Sequence, residues 1–173
     1  METFLEILKI ILPAILVMIT AWLVIRNMLR DDQDRRRQDL LLQTVKTVTP
    51  VKLQAYERVV LFLERISPES LIMRTANADM SAQQLHSALV SNVRSECEHN
   101  LSQQIYISST AWELVRNAKE ETIRLINMAS GKVAGNAPSG DLVRAILDLS
   151  METEELRVNA AIDEVKKEVQ KLF

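Results

Sequence analysis

The feature that most constrains this chain is an apolar stretch near its N-terminus. Residues 10–25 are sixteen consecutive residues without a charge, and the run reaches twenty-two residues, 4–25, when Glu6 and Lys9 are counted within it. Twenty-two helical residues reach roughly 33 Å, against about 30 Å for the hydrocarbon core of a bilayer. We therefore expect residues 1–26 to form a transmembrane anchor.

Two other structures remain open for this stretch. A cleaved signal peptide would have a basic segment before the apolar run and a small-residue cleavage site after it. Here Glu2, Glu6 and Lys9 precede the run and no A-x-A site follows it. A buried core helix would rarely continue for sixteen residues without a charge, so both alternatives are less favoured than an anchor.

The basic residues on either side indicate how such an anchor is oriented. Lys9 is the one basic residue on its N-terminal side. Five arginines follow the stretch closely: Arg26, Arg30, Arg35, Arg36 and Arg37. Because basic residues stay on the cytoplasmic side, we expect the N-terminus outside and the C-terminal domain in the cytoplasm.

The rest of the chain is predicted to be all-α. Three glycines and 4% aromatic residues are too few for the many turns of a β-sandwich or barrel. The expected architecture is a single N-terminal transmembrane helix, 1–26, that continues into a juxtamembrane helical stalk, 27–49. A cytoplasmic helical domain, 50–173, follows, and a new helix should begin at Thr49-Pro50, since proline suits the first position of a helix.

Three patterns mark helices within this domain. Residues 51–66 are strongly apolar, with Tyr56 on the inner stripe and the pairs Glu57-Arg58 and Glu64-Arg65 seven residues apart, so this helix is either central or faces a partner. Capping boxes at Ser81 and Thr110 predict the starts of two more helices. The glycine-containing segment 131–140 is the predicted flexible loop.

The last helix, from about residue 153, has a coiled-coil-like seam. Its apolar residues recur at steps of four and three: Val158, Ile162, Val165, Val169 and Leu172. The seam could pack inside the domain, on the stalk or on the helix of Tyr56, or it could bind another chain. The sequence leaves both possibilities open.

Little in the sequence points to catalysis, a cofactor or a metal. The chain has 21 basic and 23 acidic residues, which gives no field that would hold nucleic acid. No phosphate loop, nucleotide fingerprint or serine elbow occurs, and no small-molecule substrate is evident. Glu96-x-x-His99 occurs once, without the second copy that a di-iron bundle uses, and Cys97 lies on an apolar stripe.

Three blocks of sequence carry a resemblance. Residues 53–58 read LQAYER, residues 61–66 read LFLERI, and residues 98–106 read EHNLSQQIY. With the order of segments around them, they resemble an uncharacterised family of membrane-anchored proteins from Bacteroidota. The resemblance implies a bacterial inner-membrane setting and no particular activity. It also suggests a packing or contact role for His99 and Gln103, which lie one helical turn apart.

The sequence thus predicts a non-catalytic, single-pass accessory or assembly subunit of a bacterial inner-membrane complex, acting through helix–helix contacts. Its expected partners are the lipid bilayer and either a membrane protein or further copies of the chain. A membrane-tethered signalling adaptor, which would capture a soluble partner with the glycine loop and the last helix, is the alternative. A metal-dependent helical enzyme is a more remote one.

Overall fold

The structure is a computed structural model of the chain, and its described part is helical. It describes residues 2–152 and 157–171, with side chains for all of these except 2–14, 27, 29–42, 44–45 and 157. The helices are α1 (Glu2–Ile66), α2 (Pro68–Thr75), α3 (Ala82–Asn100), a 3₁₀ helix (Leu101–Ile105), α4 (Ser109–Ser130), α5 (Ser139–Glu152) and α6 (Arg157–Gln170). The predicted helical class is confirmed for these residues.

The chain divides into two compact units, residues 1–49 and 50–173. In the first unit, none of the helical residues that the structure describes forms a stretch long and apolar enough to cross a membrane. The predicted transmembrane anchor at 1–26 and the single-pass inner-membrane localisation are therefore wrong.

Pro50 does not begin a new helix, because α1 continues through it to Ile66. A proline inside a helix removes one backbone hydrogen bond and costs about 3 kcal/mol. Here Pro50 and Val51 are exposed, so water can solvate the carbonyl that loses its donor. The next turns bury Ala55, Tyr56 and Val59, and this packing stabilises the helical conformation beyond the proline. The helix then ends before Ser67-Pro68, as the sequence predicts.

The second unit is a bundle with a single core. Helix α3 packs against α2, α4 and α5, and α4 packs against α5 and α6. The largest fully buried side chains come from α1 to α5: Val59, Phe62, Leu63, Ile66, Leu71, Leu85, Leu89, Val93, Val115, Ile126, Leu142 and Ile146. Residues 55–66 of α1 thus supply part of the core.

Local capping explains where the middle helices begin. Ser81 and Gln84 form the predicted capping box of α3, which is confirmed. The predicted box at Thr110 is wrong, since the N-cap of α4 lies two residues earlier, at Ser108. The hydroxyl of Ser108 accepts a hydrogen bond from the amide of Ala111 at 3.1 Å.

The glycine-containing segment is tied to the start of α3. The Ala82 amide donates to the Ala137 carbonyl at 2.8 Å, and the Gln83 amide donates to the Gly135 carbonyl at 3.1 Å. These bonds satisfy two of the amides that a helix N-terminus leaves without partners. The segment is therefore an ordered part of the bundle rather than the flexible loop that its composition suggests.

Candidate partner-binding groove

An open groove lies between residues 50–66 of α1 and helix α6, both within the second unit. Its volume is about 540 Å³. The lining side chains are Leu53, Tyr56, Glu57, Val60, Leu61 and Glu64 from α1, and Val165, Lys166, Val169 and Gln170 from α6. We call this feature the α1/α6 groove. Its lining combines apolar and charged side chains.

Residues 50–66 carry apolar side chains around more of the helix than the core buries. The apolar side chains that stay outside the core line the groove. Tyr56, Val59 and Leu63 are buried in the bundle. The adjacent stripe, Leu53, Val60 and Leu61, ranges from half-buried to 56% exposed for Leu61. A surface helix normally keeps one apolar stripe, so the second stripe is left without a partner helix in the described bundle.

A hydrogen-bonded cluster fixes the helix that forms the other wall. The Tyr56 hydroxyl donates to Glu168 Oε2 at 3.2 Å, which joins α1 to α6. Glu168 also accepts the hydroxyl of Ser108, the N-cap of α4. Burial, together with the neighbouring Glu168 carboxylate, raises the pKa of Tyr56 to about 12 from its usual 10.0. We call these three residues the Tyr56 cluster.

The edges of the groove are charged unequally. Glu57 and Glu64 are exposed on the α1 side, and neither carboxylate forms an ion pair with any residue in the described part of the chain. Lys166 is the one basic side chain in the lining. Arg58 is exposed next to Glu57 but does not line the groove. Two carboxylates and one ammonium thus line the groove, and Lys52 Nζ lies 5.9 Å from the centroid of the Tyr56 ring.

Arg65, another predicted contact residue, belongs to a different cluster. Its Nη2 lies 2.6 Å from Glu96 Oε1, and Arg74 Nη1 lies 3.4 Å from the same oxygen. Arg74 Nη2 also donates to the carbonyl of Arg65 at 2.7 Å, at the C-terminal end of α1. This cluster connects α1, α2 and α3, so Arg65 has intramolecular partners rather than a place in the groove.

His99 and Gln103, taken from the EHNLSQQIY block, do not line the groove either. His99 is exposed near the end of α3. Gln103 is 8% exposed in the 3₁₀ helix, where its Nε2 donates to the Ser102 hydroxyl at 3.2 Å. Neither residue therefore belongs to the α1/α6 groove.

The residues considered for metal binding do not come together. Within the described ranges, no three His, Cys, Asp or Glu side chains converge on a possible metal position. Glu96 is engaged by the two arginines instead. Cys97 packs half-buried against the core, and burial is the main reason that the pKa of its thiol is raised.

The C-terminal seam is largely inside the bundle. Val158, Ile162 and Val165 are at most 5% exposed, and α6 packs on α4. Val169 is half-buried and lines the groove. Leu172, the last residue of the predicted seam, lies outside the described residues.

Sequence reasoning did not find Leu53, Val60, Leu61, Lys166 and Gln170 as lining residues. A signal for three of them was present, since Leu53, Val60 and Leu61 widen the apolar face of residues 51–66. Nothing local in the sequence indicates that α6 lies beside this face, because that placement depends on tertiary packing.

Comparison with known proteins places this architecture in a family. One family model matches residues 2–172, which include both helices of the groove. The chain belongs to DUF7935, a family of unknown function. No curated protein and no solved structure matches it. The resemblance to a family without an assigned activity is confirmed at that level.

Proposed function

We propose that this DUF7935 protein is a non-catalytic assembly protein that binds a helix of another polypeptide in the α1/α6 groove. The observation that carries the proposal is the second apolar stripe of residues 50–66, which α6 flanks but does not cover. A groove of this kind is suited to an amphipathic helix, which would complete the bundle as one more element. A bacterial setting in Bacteroidota, implied by the resemblance, is part of the proposal.

The rigidity of the groove supports this role. The Tyr56 cluster holds α6 against α1 and α4 through one carboxylate. Val165, at the base of the α6 wall, is fully buried. A binding surface that is already formed loses less conformational entropy when its partner docks than a mobile one does.

The test places a photo-crosslinking amino acid at Leu61 in the full-length chain, expressed in its native host. Leu61 is 56% exposed in the groove, so the substitution should not disturb the core. Met128 is the matched control, since it is 54% exposed on α4, outside the groove. We expect an adduct from position 61 that maps to a helical segment of one polypeptide, and none from position 128.

A substitution at the same position tests whether the apolar surface of the groove is needed for the native complex. Leu61→Gln keeps a helix-forming residue but removes apolar surface, so it should reduce the size of the native complex in gel filtration while the melting temperature stays unchanged. Met128→Gln should alter neither. Equal adducts from both positions, or a native complex that is unaffected by Leu61→Gln, would overturn the proposal.

A further inference from the structure

The two carboxylates that line the groove are separated by the same number of residues as two of its apolar side chains. Glu57 and Glu64 are seven residues apart on α1, which is about 10.5 Å along the helix axis. Leu53 and Val60 are also seven residues apart. Two helical turns return each of these side chains to nearly the same face, so the groove repeats an apolar residue and a carboxylate along its length.

A packed helix would meet this repeat in register. Helices that cross at about 20° keep side chains in contact over successive heptads, with apolar residues in the seam and charged residues beside it. On the α1 side, the positions beside the seam are occupied by Glu57 and Glu64, which have no ion-pair partner among the described residues. Basic side chains of a docked helix could pair with both carboxylates at once.

We infer that the partner of the α1/α6 groove is a basic amphipathic helix, with lysine or arginine residues seven apart that pair with Glu57 and Glu64. The inference rests on the proposed function and specifies the chemistry of the partner. The apolar face of that helix covers Leu53, Val60 and Leu61, which supplies most of the affinity. The basic residues set its register and select it over acidic helices, as charges at the edge of an interface do.

The same charges disfavour a second copy of the chain as the occupant. If two α1 helices met antiparallel about an axis near Val60 and Leu61, Glu57 of one copy would face Glu64 of the other. This antiparallel arrangement brings like charges together, which destabilises the helix pair.

Designed peptides test the inference on the full-length protein. The basic peptide has about three heptads, with leucine in the seam, lysine at two flanking positions seven residues apart and glutamine elsewhere. The acidic peptide has glutamate in place of both lysines. Fluorescence anisotropy of labelled peptides at low ionic strength should show the basic peptide binding about tenfold more tightly, and added salt should reduce this difference.

Reversing the charge at both glutamates tests whether they cause the preference for the basic peptide. Glu57→Lys combined with Glu64→Lys should make the acidic peptide the tighter ligand. The matched control is Glu113→Lys combined with Glu120→Lys, since these glutamates are also exposed and seven residues apart, but lie on α4 outside the groove. The control variant should retain the preference for the basic peptide.

The outcomes separate the two proposals. If both peptides bind the unmodified protein equally well and Leu61→Gln weakens both, the groove binds helices and the charge inference is wrong. Loss of the preference in the α4 variant would also overturn the inference, because the selection would then come from overall charge. If neither peptide binds, while the Leu61 adduct shows a copy of this chain, the basic partner is excluded. If no peptide binds and no adduct forms at Leu61, the proposed function itself fails.

Discussion

Replacing Tyr56 by phenylalanine removes one hydroxyl from a buried position between α1 and α6. The ring is 3% exposed, and its hydroxyl donates to Glu168 Oε2 at 3.2 Å. Phenylalanine keeps the ring and its packing, so the change isolates the hydrogen bond. Because Glu168 also accepts from Ser108, its carboxylate is not left without a partner in the variant.

At neutral pH the expected loss of stability is modest. A hydrogen bond to a charged group contributes about 1.5–3 kcal/mol to stability. The bond of Tyr56 is longer than usual and Glu168 retains a second donor, so we expect Tyr56→Phe to lower the free energy of unfolding by about 1–1.5 kcal/mol.

The effect of alkaline pH follows from the raised pKa of Tyr56. Its pKa is 10.0 in the unfolded chain and about 12 in the folded one, because burial and the nearby Glu168 carboxylate disfavour the phenolate. The folded state therefore holds this proton more tightly. The resulting stabilisation is fully present below pH 10 and is lost as the pH rises through about 12.

Urea unfolding of the full-length chain, followed by circular dichroism at several pH values from 7 to 11.5, measures both effects. The difference in unfolding free energy between the unmodified chain and Tyr56→Phe should shrink above pH 10. Tyr106→Phe is the control, since Tyr106 is 37% exposed outside the groove and should leave the alkaline loss intact. A difference that stays constant up to pH 11.5 would refute the role assigned to the Tyr56 hydroxyl.

Three further perturbations test the core, a helix cap and the thiol. Leu89→Ala empties a fully buried site and should cost about 2–5 kcal/mol in urea unfolding, whereas exposed Leu61→Ala should change stability by less than about 0.5 kcal/mol. If both variants lost the same unfolding free energy, Leu89 would not be a core residue. Ser81→Ala removes the N-cap of α3 and should cost about 1 kcal/mol by the same assay, and a neutral result would show that the loop bonds suffice. Cys97 should react with a thiol reagent at pH 8 more slowly in the folded chain than in urea, since burial raises the pKa of its thiol; equal rates would contradict this.

Sequence patterns predicted best what depends on a few neighbouring residues. The capping box at Ser81 and the end of α1 before Ser67-Pro68 are of this kind, because each is determined within about one helical turn. The buried positions of α6 also followed from its four-three spacing. Tyr56 and Val165 could therefore be placed on the apolar stripes of their helices from the sequence alone.

Features that depend on distant residues were predicted less well. A proline at position 50 reads locally as a helix start, yet the burial of Tyr56 and Val59 beyond it keeps α1 continuous. The N-cap of α4 is Ser108 rather than Thr110, and Ser108 contacts Glu168, which is sixty residues away. The groove itself combines α1 with the last helix, and no local pattern reveals that pairing.

The position of α6 also bears on how the C-terminal seam can take part in binding. A seam that associates with another chain must be free in the monomer, but Val158, Ile162 and Val165 already pack within the bundle. Exposing them would cost about 1.5–3 kcal/mol for each side chain before any partner was bound. Val169 is half-buried and lines the groove, so it can contact a docked helix without leaving the core. The seam therefore positions the wall of the groove, and the proposed partner helix would meet that wall through its outer residues.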